Sequence, residues 1–304
     1  MPKIYNNLIL QELEENNHIT IVVATDNFYA ILLAALLKSI EQNHVSGEIV
    51  EFYIIDDGIS PSNKKKIIAS GNSKFISLHW ITTKEVLPEN IKIPTDRSAF
   101  PITTYLRVFA PYIIPKTTSK MIYLDVDMIV LKDISELWNV DIGDHLFGAV
   151  VDLCETVGSS WGGIPNYKEL NIDPNAKYFN AGMLVINPIK WREHDISNKV
   201  IDAINNNIAS VNFADQYGLN VILVNKWYEL DRRWNSFSVQ HSDDPYLIHF
   251  LDIKPIFKSY NTNQKYYDLF YKYLKLTPYK DFKPLSDYKR LFRKAVIKFG
   301  KLFK

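Results

Sequence analysis

Cysteine is all but absent from this 304-residue chain, in which Cys154 stands alone. A single thiol excludes an intramolecular disulfide and a cysteine-built zinc site, and it points to a reducing compartment. Cys154 itself reads as a small apolar filler. An excess of either charge is missing too. The 35 Lys and Arg residues face 34 Asp and Glu, a net charge of +1, so no global field draws the chain to nucleic acid and any basic site must be local. Long apolar runs are also lacking. The longest, Phe28 to Leu37, is about half of the ~20 residues that a membrane span needs, and it carries helical periodicity. Met1 to Asn17 are polar and acidic, without the basic start or small-residue cleavage pattern of a secretory leader, so a cytoplasmic location is expected. No repeat or low-complexity tract interrupts the chain.

What is present is core material. Apolar residues make up 47% and aromatics 13%, ample for a globular α/β protein. His18 to Thr25 is a β-branched run that predicts the first core strand. Phe28, Ile31, Leu32, Ala35, Leu36 and Ile40 then recur at helical spacing. Glu48 to Ile55 predicts a second strand, Ser60-Pro61 an N-cap and first turn, and Phe75 to Ile81 a third strand. Strand, helix, strand, helix, strand is the order of a doubly wound, mostly parallel sheet whose ligands sit beyond the carboxyl ends of its strands. Asp26, Asp56 and Asp125 would share that edge. Further on, Phe147 to Val151 predicts a strand closed by Asp152, Tyr178 to Asn187 another, and Tyr246 to Phe250 a last short one. Leu153 to Lys177, with little regular pattern, reads as a lid or binding loop, with Trp161 a lid anchor or an acceptor platform.

The chain is organised around Met121 to Val130. Asp125 and Asp127 lie one residue apart after a short apolar run, and in an extended chain such side chains face the same way. Two like charges at one point call for a cation. A divalent metal offsets the repulsion and leaves oxygens free for a phosphate-bearing ligand. The alternative is a strand that ends in two solvated aspartates.

Taken in order, the motifs resemble glycosyltransferase family 8, the retaining GT-A family of bacterial lipopolysaccharide galactosyltransferases and glucosyltransferases. The resemblance covers roughly residues 18 to 258. It rests on Ala24-Thr25-Asp26 before Tyr29, Thr104-Tyr105-Leu106-Arg107, Asp125-Val126-Asp127, Phe179-Asn180-Ala181-Gly182, Asp215-Gln216, and His249 with Lys254-Pro255. The resemblance implies a Rossmann-like, mostly parallel sheet flanked by helices, a UDP-galactose or UDP-glucose donor, and a manganese ion. It also implies roles: Asp26 and Tyr29 for the uridine, Asp125, Asp127 and His249 for the metal, Lys254 for the pyrophosphate, Arg107, Asp152 and Asn180 for the donor sugar, and Gln216 beneath the anomeric carbon with Asp215 beside it. A glutamine is a poor nucleophile, which in this family favours a front-face mechanism over a double displacement through Asp215. The chain departs from the family pattern at Asn27-Phe28, at Asp252 where a glycine is common, in the spacing from His249 to Lys254, and at Ile256.

The expected activity is transfer of a hexose from a UDP-sugar to a cell-surface glycan or glycolipid. Two other readings exist. One is a non-catalytic domain that binds nucleotide sugar or glycan. The other is a metal-dependent phosphatase of haloacid-dehalogenase type, whose Asp-x-Asp pair lies on the first core strand, whereas here at least three strands precede it. The catalytic domain is expected over 1–257 and a tail over 258–304. In the tail, Ser286-Asp287 is an N-cap signal. Tyr288, Leu291, Phe292, Ala295, Val296, Phe299 and Phe303 fall on one helical face, with lysines and arginines around it. That pattern predicts a helix in an anionic membrane interface through residues 286–304, or a helix packed on the domain with its basic residues outward.

Overall fold

A computed structural model describes residues 18–71, 74–87, 91, 93–94 and 100–302. The reading of Met1 to Asn17 and the placement of Phe303 fall outside these residues. The strands are β1 His18–Asp26, β2 Ile49–Asp57, β3 Ile76–Thr82, β4 Met121–Leu124, β5 Met128–Val130, β6 Phe147–Thr156, β7 Lys177–Ile186, β8 Tyr228–Glu229, β9 Ser236–Phe237 and β10 Leu247–His249. The helices are α1 Ala30–Asn43, α2 Pro61–Ser70, α3 Thr83–Val86, α4 Thr103–Leu106, α5 Ile134–Trp138, α6 Pro188–Glu193, α7 Ile196–Asn206, α8 Ala214–Leu223, α9 Gln264–Leu274 and α10 Asp287–Leu302.

A seven-stranded sheet runs β3-β2-β1-β4-β7-β6-β8, and a three-stranded sheet runs β5-β10-β9. β1, β2, β3 and β4 are parallel, while β7 lies antiparallel to both β4 and β6. The interior of β1 is buried on both faces, as its unbroken Val and Ile run requires of a central strand. Helix α1 covers one face with Leu32, Leu33, Leu36 and Leu37. At the start of α2, Ser60 Oγ accepts from the Asn63 amide at 3.2 Å and Pro61 occupies the first turn, a cap that contributes about 1 kcal/mol.

Three features differ from the sequence reading. Asp125-Val126-Asp127 is not an extended strand end: these residues are where the chain turns out of β4 in the large sheet and into β5 in the small one. Asp152 does not close its strand. It lies inside β6, at a register shift between Val151 and Thr156 that re-aims the side chains there. The segment from Val157 to Ala176 is a turn-rich loop tied down at its ends, with the Val157 amide donating to Ala176 O and the Gly158 amide to Pro174 O.

The core also continues past residue 257. Tyr266, Phe270, Tyr273 and Leu274 of α9 join the cluster formed by β1 and α1, and Asn43 Nδ2 donates to the Tyr273 hydroxyl at 2.9 Å. No described helix is long and apolar enough to cross a membrane.

Candidate functional site

The site is built around three residues of β7, Asn180-Ala181-Gly182, because their polar atoms are shared among all its parts. The Asp125 amide donates to Gly182 O at 2.7 Å, which fixes the turn that carries both aspartates. Ala181 O accepts from Arg107 Nη1 at 2.6 Å, and the Ala181 amide donates to Gln216 Oε1 at 2.9 Å. Asn180 Nδ2 donates to Asp152 Oδ2 at 2.7 Å, and Gln216 Nε2 donates to the same oxygen at 3.2 Å. Asp152, Asn180 and Gln216 thus form one polar patch, and Asp125, Asp127 and His249 form another beside it.

In the second patch, ligand atoms of Asp125, Asp127 and His249 all lie within 4.8 Å of one another. His249 Nε2 is 3.3 Å from Asp127 Oδ1 and 3.9 Å from Asp125 Oδ2. Three observations show that these residues fit a divalent ion. Asp127 Oδ1 is buried without a hydrogen bond, a carboxylate oxygen whose lone pairs a bound cation would satisfy. Gly182 keeps the space between the ligands open, since a Cβ there would lie 2.5 Å from His249 Cε1 and 3.0 Å from Asp125 Oδ2. Two carboxylates with one imidazole are also a donor set suited to a transition-series dication.

The imidazole is oriented by a residue that sequence reasoning missed. Asn235, at the end of a 3-10 segment Arg232–Asn235, donates from Nδ2 to Asn180 Oδ1 at 2.9 Å and turns its Oδ1 to His249 Nδ1 at 3.1 Å. Since that oxygen only accepts, Nδ1 carries the hydrogen and Nε2 presents its lone pair toward the aspartates.

Charges balance in layers. Burial opposes the Asp127 carboxylate, but Lys254 at 2.6 Å outweighs it and holds the acid well below the usual carboxylate range. Burial pushes the neighbouring Asp125 up, despite Arg107. Behind them Arg107 is buried, its Nε 2.7 Å from Asp215 Oδ2 and its Nη1 3.4 Å from Asp125 Oδ2. Asp215 is 0% exposed, and burial raises its carboxyl to about 7 against the pull of Arg107. The structure places Asp215 behind Arg107, on the side away from Asp152 and Gln216. There it grips the Arg107 guanidinium.

At the near end of the sheet, Asp26 Oδ1 accepts from the Phe28 and Tyr29 amides at 3.0 Å each. Its Oδ2 is turned away from these amides, toward Arg293 of α10. Asn27, where the family pattern departs, accepts the Ser60 amide and Asn63 Nδ2, tying β1 to α2. Ala24, Thr25 and Val126 are buried. Asp252 has φ 55°, the left-handed conformation that explains why a glycine is common there. With that turn in place, Lys254 still reaches Asp127.

Comparison with known proteins agrees with this geometry. A model of Glycosyl transferase family 8 matches residues 20–276. General stress protein A of Bacillus subtilis (strain 168) is 30% identical over 278 residues, which is 84% of this chain and 93% of that protein. The chain spans 62% and 48% of the length of two further bacterial relatives. Lipopolysaccharide 1,2-glucosyltransferase of Escherichia coli is 21% identical over 277 residues, covering 88% of this chain and 78% of that one. Among solved structures, the galactosyltransferase LgtC in complex with donor and acceptor sugar analogues superposes with a TM-score of 0.69 at 25% identity, covering 87% of this chain and 100% of that one.

Proposed function

The chain belongs to glycosyltransferase family 8 and has its GT-A fold, and from that premise we propose that it moves a galactose or glucose from a UDP-sugar to a glycan or glycolipid acceptor with retention of configuration. The observation that carries this reading is the convergence of Asp125, Asp127 and His249 on one another, with Asp125 bonded to the β7 segment that also holds Asp152 and Gln216. Galactosyl and glucosyl transfer are the activities named for two of the similar proteins.

Asp125, Asp127 and His249 would hold the metal, manganese by the mixture of carboxylate and imidazole ligands. When bound, it supplies Lewis-acid stabilisation of the charge that builds on departing UDP. Lys254 adds a cation to the pyrophosphate. Asp26 accepts from the base, and the Tyr29 ring covers it. Arg107, held by Asp215, and the pair Asp152 and Asn180 grip the hydroxyls of the donor sugar.

Gln216 is oriented by Ala181 and Asp152, so its amide oxygen keeps one lone pair for the anomeric carbon. A neutral amide stabilises an oxocarbenium-like transition state without attacking it. The acceptor's proton then passes to the leaving phosphate oxygen on the same face of the sugar. In this scheme residues 1–257 carry every catalytic group. Beyond them α9 completes the core, and the last helix of the 258–304 segment meets an anionic membrane surface, placing the protein on the cytoplasmic face of the membrane, where a glycolipid acceptor is found.

The test is UDP release from a panel of UDP-sugars, with manganese and with a chelator. The expected result is slow metal-dependent hydrolysis of one UDP-hexose, lost in Asp127→Ala. Absence of UDP binding in the presence of manganese would sink the proposal.

A further inference from the structure

Helix α10 faces the domain with its polar side. Tyr288, Leu291, Phe292, Val296 and Phe299 are 52 to 74% exposed, whereas the residues half-buried toward the domain are Asp287, Arg290, Arg293 and Ile297, spaced three, three and four apart on one face. A helix packed for stability alone would bury the aromatic stripe and leave the arginines in water.

The inward face has a specific target. The Arg293 guanidinium pairs with Asp26 Oδ2 and lies 4.5 Å from the ring centroids of both Phe28 and Tyr29. A guanidinium is planar and carries N–H donors at its edge. It therefore offers Asp26 and Tyr29 what a nucleotide base offers them: N–H to the carboxylate and a flat face to the ring. The two cannot occupy that place together.

The attachment of α10 lets it leave without disturbing the core. Its root is pinned, with the Leu285 amide donating to Ile256 O, the Lys258 amide donating to Leu285 O, and Ser259 bonded to Asp287. Beyond Asp287, the residues with described side chains that are even half-buried are Arg290, Arg293 and Ile297.

We propose that α10 is a cover over the nucleotide-base pocket, that Arg293 and the donor's base compete for Asp26 and Tyr29, and that an anionic lipid surface draws the cover off. This rests on the donor and membrane readings above and adds the link between them. The outward face suits lipid, since its apolar stripe is flanked by Lys289, Lys294 and Lys298, and no acid follows Asp287 in the helix. Lipid phosphates satisfy Arg293 as Asp26 does, so a membrane-bound helix frees Asp26 for the base. By linkage, donor and membrane then strengthen each other's binding by the same factor.

The experiment is calorimetric titration of UDP into the manganese-loaded full chain, as wild type and as Arg293→Ala. Each is measured alone, with phosphatidylglycerol vesicles and with phosphatidylcholine vesicles. Removing the competitor is expected to tighten UDP binding about tenfold, the factor by which an occluded site lowers apparent affinity when roughly one molecule in ten is open. Phosphatidylglycerol should tighten the wild type by a similar factor and leave Arg293→Ala unchanged, while phosphatidylcholine does neither. Unchanged or weaker UDP binding by Arg293→Ala would overturn the cover. Vesicles that sediment with the wild type yet leave its UDP affinity unaltered would overturn the link to the membrane, a result that needs no variant. Failure of both proteins to bind UDP would instead remove the donor reading beneath the proposal.

Discussion

Replacing Gly182 by alanine adds one methyl group at the point where the metal ligands and the sugar-binding residues meet. Its φ is not positive, so alanine carries no backbone penalty there and the effect comes from crowding alone. The added carbon would lie 2.5 Å from His249 Cε1, 3.0 Å from Asn180 Oδ1 and 3.0 Å from Asp125 Oδ2. Non-bonded carbons settle at about 3.5–4.0 Å, so the imidazole must retreat by roughly 1 Å. It cannot turn aside freely, because Asn235 holds its Nδ1 and β10 pairs with both β5 and β9. Overpacking of this kind costs about 1–3 kcal/mol in stability, and a 1 Å displacement of a positioning group costs about 100-fold in rate. Urea denaturation of Gly182→Ala should therefore show a modest loss. Manganese affinity and kcat/KM for the UDP-hexose should fall about 100-fold or more. A variant with wild-type manganese affinity and turnover would refute the placement of His249 against Gly182, and with it the metal site.

Asn235→Ala should weaken manganese binding about 10- to 100-fold, the usual cost of losing the group that orients a metal-bound imidazole. Asn235→Asp, which keeps an acceptor oxygen for Nδ1 but loses the donor to Asn180 Oδ1, should recover part of it, and equal affinities for all three proteins would remove the tautomer argument. Asp133 governs acid stability far from the site. Burial raises its carboxyl, but the Ser46 hydroxyl, the Ser135 and Val45 amides and His44 outweigh that and depress its pKa. A depressed folded-state pKa means stability that is full above the unfolded carboxylate range, about pH 4, and is lost as pH falls further. Asp133→Asn should thus lower the urea midpoint at pH 7 and flatten the acid limb of the stability curve below pH 4. A variant as acid-sensitive as the wild type would contradict that assignment.

Residues whose signals are local could be read directly from the chain. The β-branched run of β1, the Ser60-Pro61 cap and the Asp-x-Asp spacing each depend on neighbours within a few positions, and the carboxylates do converge. They converge for a reason the pattern does not contain, however. The chain leaves one sheet for another between Asp125 and Asp127, and Gly182 O fixes the turn. Asn235 carries no motif, because its role is set by Asn180 and His249, which lie 55 and 14 residues away. Asp215 and Gln216 are adjacent in sequence but face different partners. Consecutive residues on a helix diverge by about 100°, so as α8 turns Gln216 to Asp152 it must turn Asp215 behind Arg107. The same geometry explains the tail. Periodicity identifies the apolar stripe of α10, but it is silent on where the opposite face goes, and Arg293 finds Asp26 across 267 residues of sequence. An amphipathic pattern fixes which residues share a face. Only the partner of each face decides which one turns inward, and here the acidic end of β1 is the partner that the arginine face meets.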